Sequence, residues 1–391
     1  MKVALVSTYP PARCGIGEYT HNLRDALSEI DPATTYVVIA EKMPVAMAQQ
    51  QPGVIRAWHR DEAWPAHIAS AIRELRPDVV HLQHEEAILN QDGRLVRLLT
   101  ELRNMDVATL VTLHSVYPGI FAVPGRMRPG PFHRALAAAG AQIIVHQQGG
   151  CADVLRAQGV PREAIAVIPH GTISIEKPDR TLARAKLKLP DAPTVLFFGV
   201  LHKKKGIHTL VKAFPNVRKE IPSGRLLIAG QPRQRNIIDT LYRRWLEPKI
   251  ARGVSEGWLT HHLGFIADDC VADYLAAADV VAFPHNQTYG SASGVLHLAL
   301  AAGCAHVCTR GPKFFEAYEA FGDRIPEAFA KPGDAASWTK ALVAFLGDTS
   351  LRHRAEQAAK AYGQITRWSE VARQHAQLYA TRASLRLKTR L

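Results

Sequence analysis

The sequence predicts an α/β protein built from two doubly wound parallel sheets. The chain has 391 residues, whereas a single hydrophobic core stops growing at roughly 250–300 residues, so two domains are expected. Short apolar runs alternate with segments of helical periodicity along the chain, which is the pattern of βαβ units. A polar stretch at 171–193 separates two complete series of this kind. We therefore expect domains at 1–175 and 186–365.

In the first domain, apolar runs predict six strands and amphipathic segments predict helices between them. The runs lie at 2–8, 35–40, 78–84, 108–114, 142–147 and 165–171, and the helical segments at 19–30 and 67–75. Short, continuously apolar runs are typical of strands that are buried on both faces. The first domain is therefore expected to be a parallel sheet covered by helices.

The second domain repeats the pattern and is followed by one more helical segment. Its strands are expected at 194–200, 225–231, 259–266, 279–285 and 305–310, and its helices at 207–217, 269–277 and 294–302. A last helix, at about 367–384, comes after the second sheet is complete. It is therefore free to pack back against the first domain.

Composition excludes several classes of protein. The hydrophobic fraction is 47% and the charged fraction 21%, which is typical of a globular protein, and no apolar run approaches the ~20 residues of a membrane span. The apolar run before Pro10 is too short for a signal peptide, so a cytoplasmic location is expected. Five scattered cysteines without a Cys-x-x-Cys pair favour packing roles over disulfides or zinc.

A net charge of +13 indicates an anionic partner. We find no helix-turn-helix, zinc-finger or RNP signature, so nucleic acid is not expected. Anionic small molecules and anionic lipid remain open, the latter at the inner face of the cell membrane. Three locally basic segments, at 124–134, 242–252 and 381–391, are either solvated faces or surfaces that face acidic lipid.

Ligands of open α/β sheets bind beyond the carboxyl ends of the strands, so the turns that follow the predicted strands should carry the chemistry. After the first strand, Gly15 and Gly17 precede a helix, as in loops that bring backbone amides to a phosphate; a simple tight turn is the alternative. The Walker pattern is absent. A complete Gly-x-Gly-x-x-Gly is also absent because Thr20 occupies its last position.

The segment Lys203-Lys204-Lys205-Gly206 lies between a predicted strand and a predicted helix. A lysine just before a helix N-terminus is electrostatically unfavourable unless an anion binds there. We therefore expect Lys205 to bind phosphate, and Lys203 and Lys204 to point into solvent.

Serine and histidine side chains occur in other turns of the predicted sheets. Ser291, Ser293 and Gly294 precede an apolar helix, where Ser293 is expected to act as the N-cap; alternatively, the helix N-terminus holds a phosphate or ribose. His84 and His114 follow successive strands of the first sheet. Each could be structural, but together they are well placed to face a common cleft.

The chain resembles the GT-B retaining glycosyltransferases of family four. The resemblance covers nearly the whole chain and is carried by segments that occur in the family's order: STYPPARCGIGEYTHNL, VTLHS, VIPHGT, FFGVLHKKKGIHTLVKAF, LLIAGQP, GFIADDCVADYLAAADVVAFP and SGVLHLALAAG. It implies two Rossmann-like domains that face each other across a cleft, with the last helix crossing back to the first domain.

The resemblance also implies roles for individual residues. His114 would lie close to the transferred sugar, and Lys205 would bind the donor diphosphate, which makes these two the catalytic candidates. Other donor contacts are expected from Gly15, Gly17, Gly199, His202, Phe265, Ile266, Ser291, Ser293, Gly294 and Val295, with Phe265 and Ile266 lining the base pocket. Acceptor contacts are expected from Glu18, Tyr19, His84 and Glu85.

Two departures from the family's pattern concern the donor site. The usual Glu-x7-Glu pair is absent, because its positions are Gly290 and Leu298. The arginine that often follows the glycine of the lysine loop is replaced by Val200, with His202 as its candidate substitute. The identity of the donor nucleotide and sugar therefore stays open.

The function implied by the resemblance is transfer of a hexose from a nucleoside-diphosphate sugar to an acceptor hydroxyl, in bacterial polysaccharide or glycolipid assembly. The absence of an Asp-x-Asp triplet favours catalysis without metal or cofactor. A nucleotide-sugar epimerase and a silent nucleotide-sugar-binding protein are the alternatives. The segment 115–134, with Ile120, Phe121 and Val123 beside Arg126, Arg128 and Arg134, is either a plain surface loop or a guide for a lipid-linked glycan acceptor at an anionic membrane.

Overall fold

A computed structural model describes residues 1–44, 50–119, 124–233 and 236–388. The chain divides into two compact units. The N-terminal unit comprises Met1–Gly171, Tyr289–Ala292 and Thr366–Leu391, and the C-terminal unit comprises Thr172–Thr288 and Ser293–Ile365. Both are α/β structures, as the sequence predicts.

The N-terminal unit contains a seven-stranded parallel sheet in the order β3-β2-β1-β4-β5-β7-β8. The strands of the first half of the chain are β1 (Lys2–Ser7), β2 (Thr35–Glu41), β3 (Val54–Trp58), β4 (Val79–His84), β5 (Ala108–Leu113), β6 (Ser115–Val116), β7 (Gln142–Val145) and β8 (Ile165–Val167). Every residue of β4 and β5 is buried, which explains why both runs lack apolar–polar alternation.

Helices cover both faces of this sheet. They are α1 (Gly15–Ile30), α2 (Trp64–Leu75), α3 (Glu86–Leu89), α4 (Gly93–Asn104), α5 (Pro129–Ala138) and α6 (Asp153–Ala157). Helices α2, α4 and α5 pack on one face with the fully buried Trp58 and Trp64, and α1 packs on the other face. The predicted parallel sheet between helical layers is confirmed.

The C-terminal unit contains a six-stranded parallel sheet in the order β11-β10-β9-β12-β14-β15. The strands of the second half of the chain are β9 (Thr194–Phe198), β10 (Arg225–Gly230), β11 (Leu259–Leu263), β12 (Val280–Phe283), β13 (Gly290–Ser291), β14 (His306–Thr309) and β15 (Phe329–Ala330). Strand β13 belongs to the N-terminal unit, where it pairs antiparallel with β6.

The helices of the second half follow the strands in alternation. They are α7 (Arg180–Lys186), α8 (Ile207–Glu220), α9 (Ile237–Ser255), α10 (Val271–Ala277), α11 (Gly294–Ala301), α12 (Phe315–Phe321), α13 (Ala335–Gly347), α14 (Thr349–Ile365) and α15 (Trp368–Lys388). The predicted first residues of α8 and α11 are confirmed. Helix α1 begins four residues before its predicted start, at Gly15.

Helix α15 packs on the N-terminal unit, as predicted. Its Trp368, Val371 and Tyr379 are buried in the cluster that includes α1. The Tyr379 hydroxyl lies 2.7 Å from Nδ1 of His81, a buried residue of β4. A Cβ added to Gly171 would come within 2.1 Å of the Trp368 ring, so glycine is required where the first unit meets the start of this helix.

The sequence-based interpretation of 115–134 as a long loop is wrong for its last six residues, 129–134. Residues from Pro129 onward form α5, and Phe132 of this helix is fully buried. Ile120, Phe121 and Val123 lie outside the described residues. Two arginines also have partners: Arg126 forms an ion pair with Glu86, and Arg134 donates to the Gln158 carbonyl.

The basic C-terminal segment is likewise partly neutralised by contacts distant in sequence. Arg386 forms an ion pair with Asp106 at 2.7 Å, although no acid lies near Arg386 in the sequence. Arg382 donates to the Gly140 carbonyl. In the part of the chain that the structure describes, no helix is long and apolar enough to cross a membrane.

Candidate active site

In the N-terminal unit, the ends of β4 and β5 bring His84 and His114 together. The two strands are adjacent, and His84 is in register with Leu113. The His114 amide donates to the His84 carbonyl at 3.1 Å. The two residues lie at one edge of the sheet because parallel neighbours end on the same side, and the common cleft expected there stays a prediction.

The His114 imidazole belongs to a buried chain of polar groups. Its Nε2 lies 2.9 Å from Oε1 of Gln83, and its Nδ1 lies 3.2 Å from Nε2 of His146. The Nδ1 of His146 lies 3.2 Å from the Ile168 carbonyl. Gln83 and His146 are functional candidates that the sequence interpretation missed, although both lie within the strands that it predicted at 78–84 and 142–147.

The number of ring protons determines the protonation state of this series of hydrogen-bonded groups. The two end groups are acceptors, so three hydrogen bonds through two imidazoles need three ring protons, whereas two neutral imidazoles carry two. Burial, followed by the neighbouring His146, lowers the pKa of His114 well below its ordinary value, which disfavours a third proton. The neutral pair therefore satisfies all groups when the Gln83 amide turns its NH2 toward His114 Nε2.

Tyr19 lies at the centre of the same region. Its ring contacts His114, His146, His170 and Trp368 at centroid distances of 4.8 to 5.3 Å. Burial raises the pKa of Tyr19, and its hydroxyl has no hydrogen-bond partner in the described chain. A buried hydroxyl without an acceptor is costly, so Tyr19 is a candidate donor toward a ligand.

The other predicted acceptor residues have distinct surroundings. The His84 Nε2 donates to the Asn90 carbonyl at 2.9 Å, and burial lowers the pKa of His84 to about 4. Ser115 donates to the Glu85 carboxylate at 2.8 Å, and Glu18 is exposed on the first turn of α1. The structure thus places His84 in a backbone contact, whereas Glu18 is open to solvent.

The two glycines at the start of α1 differ in what surrounds them. A Cβ at Gly17 would lie 3.3 Å from the Tyr9 backbone, so the loop after β1 packs tightly against the helix. A Cβ at Gly15 would contact nothing within 4 Å. Space for a ligand therefore exists beside Gly15, and close packing accounts for Gly17.

In the C-terminal unit, the three lysines form a single 3₁₀ turn, Lys203–Lys205, between β9 and α8. Gly206 ends the turn with φ +70°, and a Cβ there would lie 1.7 Å from the Pro284 carbonyl oxygen. The backbone N–H of Asn286 also donates to the Lys204 backbone carbonyl. The turn is thus held against the end of β12, the strand adjacent to β9.

Lys205 is partly buried, and burial alone lowers its pKa to about 8. In the described chain no carboxylate lies within ion-pair distance of its ammonium group. Lys203 and Lys204 are exposed, as predicted. A desolvated ammonium without a counter-charge is the feature expected of a ligand for phosphate.

Two further residues that the sequence interpretation missed lie beside Lys205. His285 follows β12 and is buried, and the positive charges of Lys205 and Lys313 add to burial in lowering its pKa well below the ordinary value. The His285 Nδ1 atom has no partner in the described chain, and its ring stacks on Phe314. Lys205 and Lys313 thus carry positive charge beside the uncharged His285, at the ends of neighbouring strands; we call these three residues the lysine pocket.

His202 supports the turn. Its Nδ1 lies 3.4 Å from the Lys204 amide, and its Nε2 lies 3.4 Å from the buried Asp239 carboxylate. Arg233 contacts the other oxygen of Asp239 at 3.0 Å. These contacts orient His202 within the loop, and its predicted contact with the donor stays a prediction.

The segment before α11 is divided between the two units. Ser293 accepts from the Leu296 amide, so its predicted role as N-cap is confirmed. Gly294 is exposed and has open space around its Cα. Ser291, in contrast, pairs with Ser115 in the N-terminal unit.

The remaining predicted donor residues lie at the carboxyl ends of β9 and β11 and at the start of α11. Gly199, with φ +123°, would place a Cβ 3.5 Å from Val295. Phe265 is 59% exposed, whereas Ile266 packs partly against the core. An exposed aromatic ring beyond a strand end is compatible with the predicted base pocket.

The described residues include no group of three or more His, Cys, Asp or Glu that could hold a metal ion.

Comparisons with known families identify the class of protein. Residues 15–173 match the family model described as Glycosyltransferase Family 4, and residues 192–348 match the model described as Glycosyl transferases group 1. Two glycosyltransferase models thus match different parts of the chain, the first almost entirely within the N-terminal unit and the second almost entirely within the C-terminal unit. No curated protein sequence matches the chain.

Solved structures show that the fold is GT-B. Sucrose-phosphate synthase from Thermosynechococcus elongatus is 21% identical, with a TM-score of 0.74 over 97% of this chain and 98% of that one. Alr3699/HepE from Anabaena, in complex with UDP, is 16% identical, with a TM-score of 0.75 over 97% and 100%. WaaG, a glycosyltransferase involved in lipopolysaccharide biosynthesis, is 14% identical, with a TM-score of 0.65 over 96% and 99%.

Proposed function

We propose that the protein transfers a hexose from a nucleoside-diphosphate sugar to an acceptor hydroxyl, with retention of configuration at the anomeric carbon. The observation that carries this proposal is the lysine pocket, where Lys205 is desolvated and, among the described residues, no carboxylate lies within ion-pair distance of its ammonium group. A diphosphate supplies the missing negative charge. The UDP in the Alr3699/HepE structure supports a nucleotide donor for this chain as well.

In this mechanism, negative charge develops on the leaving diphosphate as the glycosidic bond breaks. Lys205 and Lys313 stabilise that charge electrostatically, and their effect is strong because the pocket is partly shielded from water. The neutral His114 contacts the transferred sugar, and Gln83 and His146 fix the orientation of its ring. The acceptor is a glycan or a lipid-linked glycan, and the description of WaaG supports a role in polysaccharide or glycolipid assembly.

A panel of UDP-, GDP- and ADP-sugars, offered with and without glycan and lipid acceptors, tests this function. We expect nucleotide release that depends on the acceptor, and NMR of the product should show the anomeric configuration of the donor. A product of inverted configuration would contradict retention. Interconversion of the nucleotide sugars without release of nucleotide would identify an epimerase, and binding without any reaction would identify a silent binding protein.

We further propose that transfer needs no divalent metal, because the chain lacks an Asp-x-Asp triplet and the lysine pocket supplies cationic charge. Activity should therefore persist at full rate in EDTA. Loss of activity in EDTA that manganese or magnesium restores would refute this part of the mechanism.

A further inference from the structure

Helix α9 presents a continuous apolar face to solvent. Four of its exposed apolar side chains form this face: Ile237 (69% exposed), Ile238 (61%), Leu241 (57%) and Trp245 (49%); Val254 (41%), near the end of the helix, lies off it. Helical geometry places these four positions on one side, and Leu246 and Ile250, which are buried, on the other side. The fold of the C-terminal unit therefore uses only one side of α9, and the exposed apolar side needs another explanation.

Basic residues surround this apolar face. With a turn of 100° per residue, Arg244 and Lys249 fall beside the sector of the apolar residues. Arg252 falls within it but pairs with Glu256, just beyond the end of the helix, at 2.7 Å, so Arg244 and Lys249 are the cations that carry the argument. Lys249 lies over the Trp245 ring, with its Nζ 3.8 Å from the ring centroid. The carboxylates of α9 lie elsewhere: Asp239 is buried, and Glu247, on the flank, pairs with Arg243.

A face that is both apolar and basic fits an anionic lipid surface better than other partners. Two copies of this chain that pair through α9 would bring the same cations together across a two-fold axis. Nucleic acid would neutralise the cations but would leave isoleucine and leucine exposed. In a bilayer interface, apolar side chains enter the acyl boundary while arginine and lysine contact lipid phosphates.

We propose that α9 docks the protein on an anionic membrane, with Ile238, Leu241 and Trp245 inserted at the interface. The inference rests on the surface of the C-terminal unit and is independent of the proposed transferase activity. The membrane contact is thereby placed on α9 and not on the segment 115–134, where Arg126 is already paired with Glu86.

Tryptophan fluorescence tests the insertion directly. Of the six tryptophans of the chain, Trp245 is exposed and the other five are at most 8% exposed. With vesicles of phosphatidylglycerol and phosphatidylcholine, we expect a blue shift of the emission and quenching by brominated lipid. Both effects should be absent in Trp245→Ala, and quenching that persists in this variant would contradict insertion of α9.

Co-sedimentation with the same vesicles separates the possible surfaces. Ile238→Glu with Leu241→Glu should lower vesicle affinity at least tenfold, as should Arg244→Glu with Lys249→Glu, and high salt should weaken binding of the wild type. Leu182→Glu is the matched control, because Leu182 is 69% exposed, at least as much as Ile238 (61%) and Leu241 (57%), but lies on α7; this variant should bind as the wild type does. Arg126→Glu with Arg128→Glu should also leave binding unchanged.

Several outcomes would overturn the proposal. These are no binding to anionic vesicles, equal binding to pure phosphatidylcholine vesicles, or loss of binding in the Arg126 and Arg128 variant but not in the α9 variants. A concentration-dependent dimer that Leu241→Glu dissociates would identify self-association instead. Nucleotide release with a water-soluble acceptor should be the same in all α9 variants, so failure of membrane docking and failure of the transferase proposal are distinguishable.

Discussion

Lys205→Met is expected to weaken binding of the donor nucleotide more than tenfold and, at the same time, to stabilise the unliganded protein. Burial lowers the pKa of Lys205 from 10.5 to about 8, and a shift of this size corresponds to roughly 3 kcal/mol of unfavourable charging in the folded state. Methionine has a similar length and carries no charge. Calorimetric titration with nucleoside diphosphates measures the first effect. Thermal unfolding measures the second, with an expected rise of about 2 °C or more.

The pH dependence of both effects follows from the direction of this shift. Between pH 8 and 10.5 the folded protein has released the Lys205 proton while the unfolded chain retains it, so the stability of the wild type rises relative to Lys205→Met as pH rises through this window. Nucleotide affinity changes in the opposite direction, because a diphosphate binds the ammonium form. It should decrease as pH rises above about 8.

Lys203→Met is the matched control for this prediction. Lys203 occupies the same turn but is exposed, so its substitution should change neither affinity nor stability appreciably. Equal nucleotide affinity of the wild type and Lys205→Met would mean that Lys205 does not bind phosphate.

His114→Ala is expected to lower kcat/KM by about tenfold to a hundredfold, because it removes the ring that contacts the sugar in the proposed mechanism and leaves buried polar groups without their hydrogen-bond partner. The change also removes the partner of Gln83 and His146. Because burial lowers the pKa of His114 well below 6.5, its imidazole stays neutral at ordinary assay pH. The pH profile of the wild-type kcat/KM should therefore show no decline near pH 6.5 that is due to protonation of His114. Such a decline would be present in the wild type and absent from His114→Ala.

His133→Ala controls for the loss of a buried imidazole. His133 lies in the same unit, is 1% exposed and contacts Gln158 at 2.6 Å; it is not one of the hydrogen-bonded groups around His114. The His133→Ala substitution should lower the melting temperature and leave kcat/KM of the folded enzyme unchanged. If His114→Ala kept wild-type kcat/KM after correction for the folded fraction, its proposed role at the sugar would be wrong.

Features governed by neighbouring residues were predictable from the sequence. The strand β9, the lysine turn and the start of α8 at Ile207 follow from an apolar run, a glycine and helical periodicity within some twenty residues. Ser293 as the N-cap of α11 follows from one side chain and the amide three residues later. The parallel sheets were predictable for a similar reason, because strands buried on both faces read as continuous apolar runs.

Partners distant in sequence were decided only by the tertiary structure. The sequence alone identified Lys205, but Lys313 and His285 join it only because β12 pairs with both β9 and β14, so that the segments after these three strands start at the same edge of the sheet. His146 contacts His114 because β7 pairs with β5. Arg126 pairs with Glu86, and Arg386 with Asp106, although the partners are distant in sequence.

The exposed side of α9 was also decided only by the tertiary structure. Its composition is visible in the sequence, but only packing shows which apolar residues the core leaves uncovered. Local periodicity and capping act over a few residues, whereas these contacts depend on the order of strands in the sheet, which the pattern of a single chain does not specify.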